Sequence, residues 1–209
     1  IFQGTNTQDQ TANGTQNSRA FSILQIITGN INNPGGWVVS PRLSLTGLGI
    51  PTDKTPIGAE DYPVFYEIWG RKSPYGQVVC FPDSVPDVIK ALIVTGGNPV
   101  VSLPDSKVFK EAMERLDLLV VLDLFMTETA ELAHYVLPGC SHLEKNGVAY
   151  GYNVCHGLPY LMVRKKAIEP LHESWSEFRF WKELAKKCGF GELFPWETDE
   201  EVVELEMKS

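Results

Sequence analysis

Three groups of residues in this chain have the chemistry to hold a ligand by its polar edge. Gly96, Gly97, Asn98 and Pro99 end the apolar run "ALIVTGGNP". Glycines at such a point let the main chain approach a ligand with no Cβ in the way. An asparagine amide donates and accepts at once. Asp123 ends a second apolar run, "DLLVVLD". A carboxylate there can accept two hydrogen bonds, from a ribose diol or from the N1–H and N2–H of a guanine edge. Pro138 ends a third run, "HYVLP", and "GCSHLEKNG" follows with Glu144 and Lys145. Each group also has a plainer reading: Gly-Gly-Asn-Pro as a turn with no ligand, Asp123 as a cap for the "TETAELA" helix, and Lys145 as a solvated surface lysine. Arrival at three successive strand ends favours a nucleotide-like ligand, because open parallel sheets bind outside the carboxyl ends of their strands. No G-x-G-x-x-G is present, which disfavours NAD.

The elements that must position these groups are readable from periodicity. Two buried, continuous apolar strands, within "KALIVTGGNP" and "DLLVVLDLF", and the short "HYVLP" alternate with helices. In "DSKVFKEAMERL" Val108, Phe109, Ala112, Met113 and Leu116 share one face, and Thr127 is placed to cap "TETAELA". Strand, helix, strand, helix, strand with short links predicts parallel pairing and right-handed crossovers. "GVAYGYN" and "LPYLMVRKKA" read as extended segments. "ESWSEFRFWKELAKKCG" predicts a helix with Phe178, Trp181, Leu184, Ala185 and Cys188 along one side. Its lysines sit near the C-terminal end, where the dipole favours them, and Gly189 ends it. "TDEEVVELEM" predicts a last helix with acids in its first turn. Near the start, Ala20, Ile23, Leu24 and Ile27 mark a helical face, with Asn13 or Asn17 as cap and Gly29 with Asn30 at the end. Trp37 to Pro86 has no sustained period, and one short helix is expected near Val64–Gly70.

Bulk composition narrows the function. The 209 residues are 43% apolar with a net charge of −8, and the pI is about 5.0. An acidic chain argues against nucleic-acid binding, which needs a basic face. No stretch approaches the ~20 apolar residues that span a bilayer. The text opens at Ile1 in polar sequence and is expected to be internal to a longer chain, so its start says nothing of compartment. Of the four cysteines, Cys80, Cys140, Cys155 and Cys188, none forms a C-x-x-C pair. "CSH" at Cys140–His142 and "CH" at Cys155–His156 match no zinc spacing, and buried or idle thiols are the better reading.

In order along the chain, "TGGNPVVSLPD", "DLLVVLDLFMTETAELAHYVLPGCSHLEKNGVAYG" and "ESWSEFRFWKELAKKCG" resemble the molybdopterin oxidoreductases of the dimethyl sulfoxide reductase superfamily. The opening "DQTANGTQNSRAFSILQIITGNINNPGG" resembles the same family, and matches cover most of residues 8–36 and 92–190. Three places depart from the pattern: after "EKNG" the family often has Gly-Arg pairs where "YGYNVCHG" stands here, and two single residues differ. His134 stands where the family has Asp before "x-V-L-P", and Glu177 stands where it has Asp.

The resemblance implies an α/β fold: a parallel-sheet, Rossmann-like, doubly wound three-layer domain with irregular wrapping segments. It implies that residues 1–36 end a preceding α/β cofactor-binding region, 37–86 connect, and 87–209 form an α/β molybdopterin-binding domain with C-terminal helices. It implies a molybdenum or tungsten ion held by two molybdopterin guanine dinucleotides, with an iron–sulfur cluster upstream of this segment. The cofactor-binding residues carried over are Gln10, Gly97, Asn98, Leu122, Asp123, Lys145 and Glu177. No catalytic or metal-ligating residue is expected in this segment, which alone is expected to be inactive. The whole protein is expected to run two-electron chemistry on a sulfur oxyanion or polysulfide, an N- or S-oxide, or formate. Its expected partners are the remaining domains of the same chain and an iron–sulfur electron-transfer subunit, as in anaerobic respiration, with no nucleic acid and no direct membrane insertion. The alternative is a scaffold without the metal cofactor, like the large iron–sulfur subunit of complex I. A non-redox hydratase on the same fold is a third option.

Overall fold

The computed structural model of the chain describes residues 13–38, 82, 85–87, 89–103, 105–149 and 162–208. Gln10, the short helix expected near Val64–Gly70, Cys80, Cys155 and His156 lie outside the described residues. The chain divides into two compact units, Ile1–Ser44 with Val148–Val163 and Leu45–Gly147 with Arg164–Ser209.

In the first unit the early periodicity gives helix α1, Gly14–Ile27. Asn13 occupies the N-cap position without a side-chain cap bond; its main-chain oxygen accepts from Asn17 N–H at 3.0 Å. The expected apolar face lies open: Ile23 is 54% and Ile27 71% exposed. After the helix the chain turns back, and Trp37 N–H donates to Asn30 O at 2.7 Å.

The second unit carries a three-stranded parallel sheet in the order β1, β2, β3. These strands are Ala91–Thr95, Leu118–Asp123 and Tyr135–Pro138, as the three apolar runs predict. Register sets Thr95 opposite Leu122, and Asp123 opposite Pro138. All three strands therefore end at one edge. Between β1 and β2 lie a short helix α2, Pro99–Ser102, and helix α3, Ser106–Glu114. Helix α4, Glu128–Glu131, lies between β2 and β3.

Burial of α3 on the sheet builds the core. Phe109, Ala112, Met113 and Leu116 pack with Val94, Leu119, Val121, Val100 and Ala130. Met113, Leu119 and Val121 are fully buried, each worth about 1.5–3 kcal/mol of apolar burial. Asp105 caps α3 by accepting from Val108 N–H at 3.3 Å. Val108, expected on the core face, is exposed, at the outer margin of the apolar stripe. As its position predicts, Thr127 caps α4, with Oγ1 accepting from Ala130 N–H at 3.2 Å; Asp123 does not.

Beyond the sheet, β4 (Gly147–Ala149) and β5 (Met162–Arg164) pair as a ribbon. Helix α5 runs Glu177–Lys187 and helix α6 runs Asp199–Met207, the latter with Asp199, Glu200 and Glu201 in its first turn. The buried side of α5 differs from the expected one. Phe180, Lys182 and Ala185 are buried, while Trp181 and Cys188 are exposed. The reason is an ion pair that periodicity treats as solvent. Lys182 Nζ meets Glu197 Oε2 at 2.6 Å, so its charge is satisfied while its methylene stem is buried. Lys182 also holds the Glu197 carboxyl below its usual value, first by hydrogen bond and then by charge. Among the described residues, no helix is long and apolar enough to cross a membrane.

Candidate functional site

A cleft of about 460 Å³ opens at the carboxyl edge of the sheet. Gly96, Gly97 and Asn98 line it from the end of β1, and Leu122, Asp123 and Leu124 from the end of β2. Cys140 and Lys145 contribute from the segment after β3, Arg164 from β5 and Glu177 from α5. Six of the seven residues expected to contact a cofactor thus share one cleft, and the seventh, Gln10, is outside the described residues.

Local geometry explains each placement. Gly96 adopts a left-handed φ of +57°, which an L side chain resists, and its N–H donates to Leu122 O at 2.9 Å. The turn out of β1 is thereby fastened to β2. Leu122 itself is a buried packing residue at the wall. Asp123 Oδ1 accepts from Leu124 N–H at 2.6 Å and from Phe125 N–H at 3.2 Å. The carboxylate caps the turn after β2 through one oxygen. Asn98 is committed on both sides of its amide. Nδ2 donates to Glu128 Oε2 at 2.6 Å, and Oδ1 accepts from Thr129 Oγ1 at 2.7 Å and Thr129 N–H at 3.2 Å. The Glu128 carboxyl is lowered below its usual value by the main-chain N–H of its own residue and then by Asn98.

The "EKNG" segment is tied down residue by residue. Buried Glu144 accepts from Leu171 N–H at 2.6 Å, Ser141 N–H at 2.7 Å and Ser174 Oγ at 3.1 Å. These bonds, Leu171 foremost, lower its carboxyl to about 2. Lys145 Nζ donates to both Glu177 carboxylate oxygens, at 2.6 and 2.5 Å. Asn146 donates to Asp199 through N–H and Nδ2, both at 3.0 Å, and accepts from Lys166 N–H at 2.9 Å. Gly147 lies under the Arg164 guanidinium: a Cβ there would sit 2.8 Å from Nη2. Cys140 is buried, its Sγ 3.7 Å from Ser174 Oγ, and burial raises its thiol. Among the described residues no group of three His, Cys, Asp or Glu side chains is set to hold a metal.

Such an edge offers glycine main chain, two carboxylates and two cations at once. The sequence model of molybdopterin oxidoreductases matches residues 1–187. The chain belongs to the molybdopterin oxidoreductase family. Members of this family that resemble it include the alpha subunit of an F420-dependent formate dehydrogenase from Methanococcus maripaludis, 33% identical over 92% of this chain and 30% of that one. A probable oxidoreductase of Bacillus subtilis, YyaE, is 31% identical over 90% of this chain and 27% of its own length. Among solved structures, acetylene hydratase from Pelobacter acetylenicus superposes with a TM-score of 0.78 at 25% identity, over 98% of this chain and 32% of that one. The chain therefore spans about 30% of the length of these relatives. Membership implies a molybdopterin cofactor with molybdenum or tungsten and does not favour the scaffold without it. Motif reading missed Arg164. It sits in "LMVRKKA", which is readable only as an extended segment, and the structure sets it at the end of β5 and in the lining of the cleft.

Proposed function

We propose that this chain forms one wall of the site for a molybdenum or tungsten bis(molybdopterin guanine dinucleotide) cofactor, within the catalytic subunit of a two-electron oxidoreductase. The observation that carries the reading is the shared cleft of Gly97, Asn98, Leu122, Asp123, Lys145 and Glu177. The donor set fits a guanine nucleotide. Asp123 and Glu177 are acceptors for a guanine edge or a ribose diol, Lys145 and Arg164 are donors to phosphate oxygens, and Gly96–Gly97 permits close approach. The bound metal supplies the electron chemistry; this chain supplies placement and electrostatics. Asp123 and Lys145 are held rigidly, by the turn after β2 and by the fastened "EKNG" segment, so the site is shaped before the ligand arrives.

The substrate classes in keeping with the family are a sulfur oxyanion or polysulfide, an N- or S-oxide, or formate. An iron–sulfur cluster elsewhere in the chain and an iron–sulfur partner subunit would carry the electrons. A second reading, addition of water without net redox, draws on the likeness to an acetylene hydratase. A purified full-length protein separates these. The proposal expects about two guanine nucleotides released per chain on acid hydrolysis, with one molybdenum or tungsten. It also expects reduction or oxidation of one of these substrates by an artificial electron carrier. Absence of guanine nucleotide overturns the cofactor reading; turnover of water addition with no electron transfer selects the second.

A further inference from the structure

We propose that Arg164 is the anion-holding residue of the cleft and seats the phosphate part of its ligand beside Lys145; this rests on the reading of the cleft as a guanine-nucleotide site.

Charge accounting inside the cleft singles out this residue. Lys145 is neutralised by Glu177, which takes its ammonium through both carboxylate oxygens. Arg164 has no ion pair among the described residues, and its buried Nε finds no acceptor. Buried N–H groups are nearly always partnered, so an orphan donor in a ligand cleft marks the place of an acceptor the ligand brings. A guanidinium is always charged, and its planar fork matches phosphate oxygens two at a time.

A second observation is independent of charge. The Arg164 guanidinium lies so close over Gly147 that a methyl group there would stand 2.8 Å from Nη2. Position 147 therefore decides where the guanidinium sits. The residue before it, Asn146, is held by Asp199 and by Lys166 N–H, the latter two residues beyond Arg164. The segments that carry the glycine floor and the arginine are thus fastened to each other. Because the obstructed atom is the end of a flexible side chain, Gly147→Ala displaces the guanidinium with little demand on the backbone.

The test uses the full-length protein prepared without cofactor and titrated in a calorimeter with GDP, guanosine and inorganic diphosphate. Arg164→Ala is expected to weaken GDP and diphosphate about tenfold or more, the scale of one lost charge-assisted contact, with guanosine unchanged. Arg164→Lys is expected to recover part of the loss, keeping the charge without the fork. Gly147→Ala, which retains the arginine, is expected to weaken GDP and leave guanosine alone. Arg164→Ala binding GDP as tightly as the parent overturns the inference while leaving the nucleotide reading in place. A parent protein that binds neither guanosine nor GDP overturns both.

Discussion

Asn98 and Glu128, thirty residues apart in the chain, are joined by a 2.6 Å hydrogen bond from Nδ2 to Oε2. The other side of the same amide accepts twice from Thr129, which is fully buried. Thr129 Oγ1 in turn accepts from Val100 N–H at 3.2 Å. The loop after β1 and the start of α4 are thereby one polar knot beneath the cleft. Asn98 lines the cleft, but the bonds of its amide go into holding the rim in shape.

Replacing Asn98 should therefore read as loss of local order before loss of ligand. Asn98→Ala is expected to cost about 1–3 kcal/mol, through the Thr129 N–H and hydroxyl it leaves without a partner. Asn98→Asp should be worse than its size implies, because it sets a carboxylate against Glu128. Adding Glu128→Gln to that variant should recover much of the loss. Denaturant midpoints of the three variants check this, and equal midpoints for Asn98→Asp with and without Glu128→Gln would count against it.

His134 occupies the place where the family pattern has Asp, and the structure shows what the exchange preserves. Its ring Nδ1 accepts from Leu119 N–H at 2.9 Å, while the main-chain N–H of His134 donates to Leu119 O at 2.9 Å. A carboxylate would accept the same amide. Restoring it with His134→Asp is expected to keep the Leu119 amide protected from hydrogen exchange. His134→Ala is expected to speed that exchange by about tenfold, one net hydrogen bond of ~1 kcal/mol or somewhat more. Equal protection in both variants would remove the role assigned to the imidazole.

Glu144 gives the cleft a defined acid limit. Its carboxyl lies at about 2, below the ordinary 4.5, because Leu171, Ser141 and Ser174 donate to the ionised form. A depressed folded value means that the stabilisation is complete above the ordinary value. It is lost progressively as pH falls from there through about 2. The carboxyl carbon, followed by NMR, should titrate near 2, and the segment from Ser141 to Lys145 should loosen over the same range. Glu144→Gln, which turns a donor toward these donors, should loosen it at neutral pH. A midpoint at the ordinary value would contradict this account.

Core packing sets the stability of the sheet that carries the cleft. Met113 is fully buried between α3 and the strands. Met113→Ala is expected to cost about 2–5 kcal/mol from lost transfer and the cavity left behind. Val108→Ala, on the exposed shoulder of the same helix, should fall within ~0.5 kcal/mol of the parent. Urea midpoints distinguish the two, and similar losses would show that the helix packs on its other side.

The 209 residues by themselves should associate and bind ligand weakly. Ile23, Leu24, Ile26 and Ile27 are exposed along α1, and Leu124, Phe125 and Met126 are exposed after β2. Apolar surface of this kind favours self-association, so sedimentation should show mass rising with concentration. One wall of a large cofactor site supplies only a few hydrogen bonds against an association cost of order 4–15 kcal/mol. Guanine nucleotide should therefore bind more weakly than micromolar. A strict monomer, or micromolar binding, would contradict these expectations in turn.

What sequence alone determined here was local. The three strands followed from apolar runs, the first ending at Thr95, just short of the glycines, and the Thr127 cap and the acidic first turn of α6 from residue type next to helix starts. Each depends on neighbours within a few positions, where spacing is itself geometry. Register then placed three strand ends at one edge because parallel strands with short links leave little choice. Tertiary structure decided the rest. It turned α5 to bury Lys182 because Glu197, fifteen residues on, neutralises it. It joined Asn98 to Glu128, and Asn146 to Asp199, across 30 and 53 residues. It brought Arg164 over Gly147. No spacing rule encodes these pairings. Whether a polar side chain is a solvated surface group or part of a site depends on which partner the folded chain carries within 3 Å of it.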